Sequence, residues 1–418
     1  MTLVPLGATF GTLPVACLVD RFGRKVALVI TNFLTIISAV IMSLSVLITA
    51  HVFIFFTRFF VGICMGLIST IVPLYLGEIS PKSLRGGMIM MVLVFFVLGV
   101  LLGQILCLQN VFGTQKGIPV LLSLFTVMPL IQILLLPFFP ESPRYLFIQK
   151  KDEDGARKAL KKLRDRNDVE DEIKELHQED LAEKAEKKIN PLKLLFKTPK
   201  LQQEVITIVV LIIGEKFDGI HAVYSYMEEI FMIVGLGPKE TPFALLGITF
   251  VFFISTVAAV YFAKSKGYRN LLLIGFGICC IVSALMTMTL EMQTVYPVMA
   301  YFTLLLMSTF IFGHSIGPGP IPYLFVVDLF LQSSRSSAFV IAGFLQWFLT
   351  LLVGLVFIYV ETKLGNYTYL IACPINMAVF IYIFKLVPEI KNKTFVDIRK
   401  LIEIQKSKNI HLKKRTVK

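Results

Sequence analysis

The sequence is short of charge. Only 17% of its 418 residues are Asp, Glu, Lys or Arg, against 56% apolar, too few to clothe a soluble domain of this length. Histidine and cysteine are sparse, at five and six residues. Cys17, Cys64, Cys107, Cys279, Cys280 and Cys373 lie in or at the ends of apolar runs without C-x-x-C spacing. They read as small apolar side chains, not metal ligands. No phosphate-binding loop occurs, and His177 and His411 sit in polar segments without a nucleophile partner. No catalytic set, metal site or cofactor is expected, and the chain does not read as an enzyme. No basic stretch precedes the first apolar run, so no cleavable signal peptide is expected.

What the chain has in quantity is hydrophobic runs. Phenylalanine occurs 36 times, and mean hydropathy is +0.77. Runs long enough to cross a bilayer, about 20 residues each, fall at 3–19, 27–48, 52–76, 87–108, 118–139, 203–234, 242–263, 271–290, 295–327, 337–360 and 367–387. The lipid bilayer is thus an expected partner. The formal charge of +13 does not call for nucleic acid. Lys and Arg collect in 20–25, 81–85, 140–201, 264–269, at Arg335 and in the tail, whereas the alternate loops carry few. That alternation marks the basic loops as cytoplasmic. It places Met1 outside and the C-terminus inside.

Within the ninth run stands Gly313-His314-Ser315-Ile316-Gly317-Pro318-Gly319-Pro320-Ile321-Pro322-Tyr323. Each proline removes a donor and clashes with the preceding turn. Such a break survives in a membrane only where protein or a watery cavity takes up the freed backbone groups. A histidine beside it points to a solute path. The alternative is a kinked packing helix.

The two halves echo each other. Glu78 precedes Arg85 by seven residues, as Asp328 precedes Arg335. Pro140-Glu141 and Pro388-Glu389 close each half, and Asp20-Arg-Phe-Gly-Arg-Lys25 is matched loosely by Lys264-Ser-Lys-Gly-Tyr-Arg269. The offsets are 328 − 78 = 250, 389 − 141 = 248 and 264 − 20 = 244. A six-helix unit repeated in parallel is the major facilitator architecture. The expectation is therefore an all-α membrane protein of two six-helix halves with the first helix missing. It divides into an N-terminal half at 1–139 (five helices), a cytoplasmic linker at 140–201, a C-terminal half at 202–387 (six helices) and a cytoplasmic tail at 388–418. In the linker, Ala156, Ala159, Leu160 and Leu163 have helical spacing. The charge run 170–188 reads as a solvated helix face.

Several motifs together resemble the sugar porters of the major facilitator superfamily, the facilitative hexose transporters. They are Asp20-Arg-Phe-Gly-Arg-Lys25, Arg58-Phe-Phe-Val-Gly62, Gly77-Glu78 through Arg85-Gly86, Pro140-Glu-Ser-Pro-Arg144, Gly317-Pro-Gly-Pro-Ile-Pro322 and Val387-Pro-Glu389. Gly313 to Pro318, Phe330 to Arg335 and Leu136 to Asp152 look like the fructose-carrying branch. The resemblance implies facilitative hexose transport at the plasma membrane, fructose first, by alternating access. Two alternatives stay open: a non-transporting or truncated relative, and a proton-coupled symporter.

The resemblance also implies roles for residues. Asp20, Arg21, Arg24, Glu78, Arg85, Glu141, Arg144, Asp328 and Arg335 would form a cytoplasmic latch between the halves. That latch is expected to be weaker in the second half, where Lys264 replaces an acid. His314, Gln346 and Trp347 would contact sugar. The family's Gln-Gln-Leu-Ser-Gly-Ile-Asn run appears as Glu215-Lys-Phe-Asp-Gly-Ile-His221, placing Glu215 and His221 at the site with changed chemistry. Lys216 is expected to point away from Glu215, and no local ion pair is expected. A polar or charged solute, or relaxed selection, would each account for the change. Leu93 and Phe252 stand where a glutamine and an asparagine are usual.

Overall fold

The computed structural model describes residues 2–48, 51–114, 116–184, 191, 194, 201–293, 295–391 and 393. Most of the expected tail at 388–418, the end of the charge run at 185–188 and the side chain of Lys264 lie outside the described residues. In chain order the helices are α1 (Leu3–Thr12), α2 (Val15–Phe22), α3 (Arg24–Leu47), α4 (His51–Ile79), α5 (Lys82–Leu106), α6 (Ile118–Leu124) and α7 (Val127–Leu135). There follow α8 (Glu153–Arg164), α9 (Glu170–Lys184), α10 (Gln202–Phe217), α11 (Ile220–Ile233) and α12 (Thr241–Lys266). The last are α13 (Tyr268–Met292), α14 (Met299–Ile316), α15 (Ile321–Leu329), α16 (Gln332–Leu364) and α17 (Thr368–Leu386). Among the described residues there is no strand.

Among the described residues, eight helical segments are long and apolar enough to cross a membrane, or nine if one bent pair counts as a single span, and several of the expected runs are broken. α1 and α2 are bent by 44° at Leu13-Pro14 and together are long and apolar enough for one crossing. The expected single run 203–234 is instead α10 and α11, separated at Asp218-Gly219. Gly219 has φ +110 there, a conformation that a side chain would strain. The run through 295–327 splits into α14 and α15 around Gly317 to Pro320, where the sequence concentrates its helix breakers.

The N-terminal half packs through small residues. Gly7 and Gly11 of α1 face Gly62 and Gly66 of α4 so closely that a Cβ would meet backbone, the means by which membrane helices gain contact without a hydrophobic drive. Between halves, α1 lies on α16 and α5 lies on α12. The repeat offset relates these two contacts, so the interface has pseudo-twofold symmetry.

The linker folds onto the basic face. Asp152 caps α8 by accepting from Gly155 N at 2.8 Å. Ala156, Leu160, Ile173 and Leu176 close a small core with Phe147 and Ile148. The charge run is not simply solvated, however. Glu172, Glu175 and Glu179 recur at helical spacing on one face of α9. They reach Arg164, Lys82 and Arg144 at 2.8, 2.7 and 3.1 Å. Lys82 belongs to α5, and Arg144 and Arg164 of the linker also donate to the Glu78 and Ile79 carbonyls at 3.1 and 2.9 Å, so the linker is tied to the ends of α4 and α5.

Cys107, exposed at the opposite end of α5, tests the orientation. A membrane-impermeant thiol reagent added to intact cells is expected to label it, and Cys107→Ser to remove that label. Labelling only after permeabilisation would invert the topology.

Candidate functional site: a crossed gate and a central polar cluster

The basic face holds a buried charge network. Arg24 forks onto Glu78, with Nε at 2.8 Å from Oε2 and Nη2 at 3.0 Å from Oε1, a bidentate pair of the strong kind. Ser142 Oγ also donates to Glu78, and Arg335 of the other half stands 3.8 Å away. Arg85 Nη1 meets Asp328 Oδ1 at 3.0 Å, again across the halves. Glu78–Arg335 and Asp328–Arg85 are exchanged by the repeat, so two symmetric links cross the interface. They differ in support. The repeat counterpart of Arg24 is Tyr268, which cannot pair with a carboxylate as a cation, so Asp328 lacks an ion pair like Arg24–Glu78. Asp20 adds a third tie between halves, accepting from Ser336 Oγ at 3.1 Å.

Not every expected gate residue bridges the halves. Glu141 Oε1 accepts from Arg24 N at 3.1 Å and Oε2 from Lys25 N at 3.1 Å, capping α3 within its own half. Burial pushes its carboxyl above the ordinary range, although the Ser142 and Lys25 N–H groups pull the other way. Glu389 caps α13 identically, through Tyr268 N and Arg269 N, both at 3.1 Å. Gly23 and Gly267, at φ +94 and +82, leave no Cβ in the space each carboxylate occupies. Arg144 turns to Glu179 of the linker. Burial opposes its charge, but Glu179, Glu175 and Glu78 together raise its pKa. Arg21 stands apart: it is exposed, with its guanidinium 5.5 Å from the Phe22 ring centre.

At mid-depth a second polar cluster surrounds the helix breaks. Gln346 Nε2 donates to Glu215 Oε1 at 3.1 Å. Lys216 Nζ meets that same oxygen at 3.0 Å, correcting the expectation that adjacent residues on α10 could not pair. The flexible lysine stem folds back, because an ammonium with no partner at this depth would be costly. Trp347 Nε1 donates to Ser69 Oγ at 3.0 Å, linking α16 to α4 across the halves. His314, buried in the last turn of α14, contacts Asp218 at 2.6 Å. Its Nε2 and Leu93 of α5 crowd the same face of Gly319, and the Phe252 ring lies 6.4 Å from the imidazole. His221 is half-buried with its Nε2 unpartnered. With Lys216 and Phe357 it lines an apolar side cavity of about 180 Å³.

Besides His221 Nε2, the buried atoms Glu215 Oε2, Gln346 Oε1 and Tyr323 Oη have no protein partner. Buried polar groups are nearly always satisfied, so these three make a candidate place for a hydrogen-bonding solute. Sequence reasoning missed Ser69, Ser336 and Tyr323 as site members. Asp218 is legible there only as an acid three residues from Glu215, able to share its helix face, and not as the partner of His314.

A doubly repeated helical bundle with broken helices at mid-depth and ion pairs crossing one face is a major facilitator carrier. Its shape matches a proton:xylose symporter bound to 6-bromo-6-deoxy-D-glucose with TM-score 0.82 and 21% identity, covering 96% of this chain and 87% of that one. A superfamily transporter in the outward conformation matches at TM-score 0.61 and 14% identity, over 91% and 88%. In sequence, facilitated glucose transporter member 5 of solute carrier family 2 from Homo sapiens is 40% identical, over 96% of this chain and 80% of that protein. The Equus caballus protein of that name is 39% identical over 98% and 82%. Member 7 from Mus musculus is 39% identical over 95% and 78%.

The sugar (and other) transporter family matches residues 1–401, and the chain belongs to it. It is an integral membrane sugar transporter, not an enzyme.

Proposed function

We propose that the chain carries a hexose, D-fructose first, across the plasma membrane by alternating access and down its gradient. The observation that carries this reading is the set of three unpartnered atoms, Glu215 Oε2, Gln346 Oε1 and Tyr323 Oη. Lys216 balances the Glu215 charge, so the site suits a neutral solute rich in hydroxyl donors. His314 and Trp347 supply a further polar contact and an aromatic face for the sugar's C–H surface. The crossed ion pairs close the basic face, so the described state admits sugar from the other side.

Proteoliposomes holding the full chain should show saturable D-fructose flux that unlabelled fructose competes away. Absence of saturable flux for every hexose offered overturns the reading.

Leu93 and Phe252 weaken that site, because both lie beside His314 and neither can hydrogen-bond. At about 1 kcal/mol for each hydrogen bond restored, Leu93→Gln with Phe252→Asn should tighten fructose binding roughly tenfold or more. Competition binding on purified protein reads this, and an unchanged affinity removes these positions from the pocket.

A further inference from the structure

Two carboxylates, Glu215 and Asp218, sit at the break between α10 and α11, and one ammonium answers them. Lys216 is the only Lys or Arg in 202–234, and none occurs in 86–106, 242–263, 270–292, 299–329, 336–362 or 368–384, the stretches around the cluster. Lys216 Nζ lies 3.0 Å from Glu215 Oε1. Asp218 instead accepts from Ile220 N at 2.9 Å and contacts the His314 imidazole at 2.6 Å. With both histidines neutral, the cluster is one cation short, a costly state at this depth.

The open atoms have matching chemistry. Three oxygens around Glu215 lack a protein partner: its own Oε2, Gln346 Oε1 and Tyr323 Oη. The Gln346 amide nitrogen already donates to Glu215 Oε1 at 3.1 Å, and Tyr323 faces Glu215 from α15. Two of the three oxygens can only accept, and the phenol can accept as well. A sugar hydroxyl brings one donor hydrogen. A protonated primary amine brings three, with a full positive charge and no lone pair to leave unsatisfied. Hydrogen bonds with an ionised partner are also roughly twice as strong.

The approach to the cluster is acidic too. Glu228 and Glu229 of α11 are exposed, and no basic residue on that helix offsets them. Glu228 follows His221 by seven residues, so both lie on one face of α11. Carboxylates inside a crossing face water or a partner, not lipid, and acids along an entry raise the local concentration of cations.

We propose that this site takes an amino sugar in preference to the neutral hexose. The ligand is a hexose in which a protonated primary amine replaces one hydroxyl. Its ammonium seats on Glu215 Oε2, Gln346 Oε1 and Tyr323 Oη, and its hydroxyls make the other contacts. Lys216 keeps Glu215 Oε1, so two carboxylates then meet two ammonium groups. Glu215 is the specificity-determining residue. This rests on the reading of the cluster as the sugar site.

The test is equilibrium binding to the full chain purified in detergent. The probes are D-fructose and its mono-amino analogues, each with one hydroxyl replaced by an amine. At about pH 6 such amines are protonated, since α-amino groups titrate near 7.7–8.0. At least one analogue should bind about tenfold tighter than D-fructose, or more. N-acetylation of that analogue should remove the advantage. Glu215→Gln should bring the analogue level with D-fructose. Lys216→Gln, which takes away the competing cation, should widen the gap. The double variant Glu215→Gln with Lys216→Gln strands no charge, so it guards against misfolding of either single variant, and it should also show no gap.

D-fructose bound as tightly as every analogue overturns the proposal and leaves the hexose reading standing. A preference for the amine that survives in the double variant overturns the seat on Glu215. Binding of an amine with none of D-fructose supports the proposal and sinks the neutral-hexose reading. Binding of neither sinks both.

Discussion

Glu78→Ala is expected to cost about 3–5 kcal/mol of folding stability, the usual consequence of removing one member of a buried ion pair. Arg24 and Glu78 side chains are both shielded completely from solvent. The carboxylate takes two hydrogen bonds from Arg24 and one from Ser142, and faces Arg335 as well. Alanine would leave the buried Arg24 guanidinium without its carboxylate hydrogen bonds, keeping the Val19 carbonyl, the Gln149 amide and the Tyr145 ring, with the Glu141 carboxylate as the nearby charge. Pairing the loss with Arg24→Met should restore much of the stability, since a buried pair is often replaceable by apolar groups. Thermal unfolding in detergent measures both variants. An unaltered midpoint for Glu78→Ala would mean that the pair is far weaker than its burial implies.

Arg85→Asp is expected to open the basic face. It places two carboxylates where a 3.0 Å cation–anion contact now joins the halves. Losing a buried, hydrogen-bonded charge pair at an interface costs roughly 2 kcal/mol or more, which shifts the outward-to-inward ratio by about thirtyfold or more. Asp328→Arg on the same chain should restore the contact with its sign reversed. Ser336, buried at the seam beside Asp20, is a place for a reporter cysteine. It should react with a thiol reagent from the basic side in Arg85→Asp and be protected again in the swapped double variant. Equal reactivity in all three chains would show that this contact does not hold the gate.

Much of the architecture could be read from the chain because membrane folds leave coarse marks. The crossings follow from run length, and the gate's symmetry was already visible in the offset of 250 between Glu78 and Asp328, and between Arg85 and Arg335. Which acid meets which base was not visible. Arg24 chooses Glu78 and Arg85 chooses Asp328 because the fold sets one pair within a half and the other across the seam. Glu141 and Arg144 carry the same charges in the same cluster, yet one caps a helix and the other holds the linker. The central cluster was harder still. Asp218 and His314 are 96 residues apart, and only the packing of two broken helices joins them. Lys216 was misjudged because helix-face geometry describes where a side chain begins, not where four flexible methylenes can carry its end.

Trp347 offers an unusual experimental convenience. Its indole N–H is bound to Ser69 on the opposite half, and it is the chain's single tryptophan. The molecule therefore contains one indole fluorophore, excitable apart from its 13 tyrosines and placed at the seam between the halves. Under the proposed alternating access the indole loses a fixed hydroxyl partner when the halves separate and its emission should respond, so stopped-flow optics on the unlabelled protein would time the rocking.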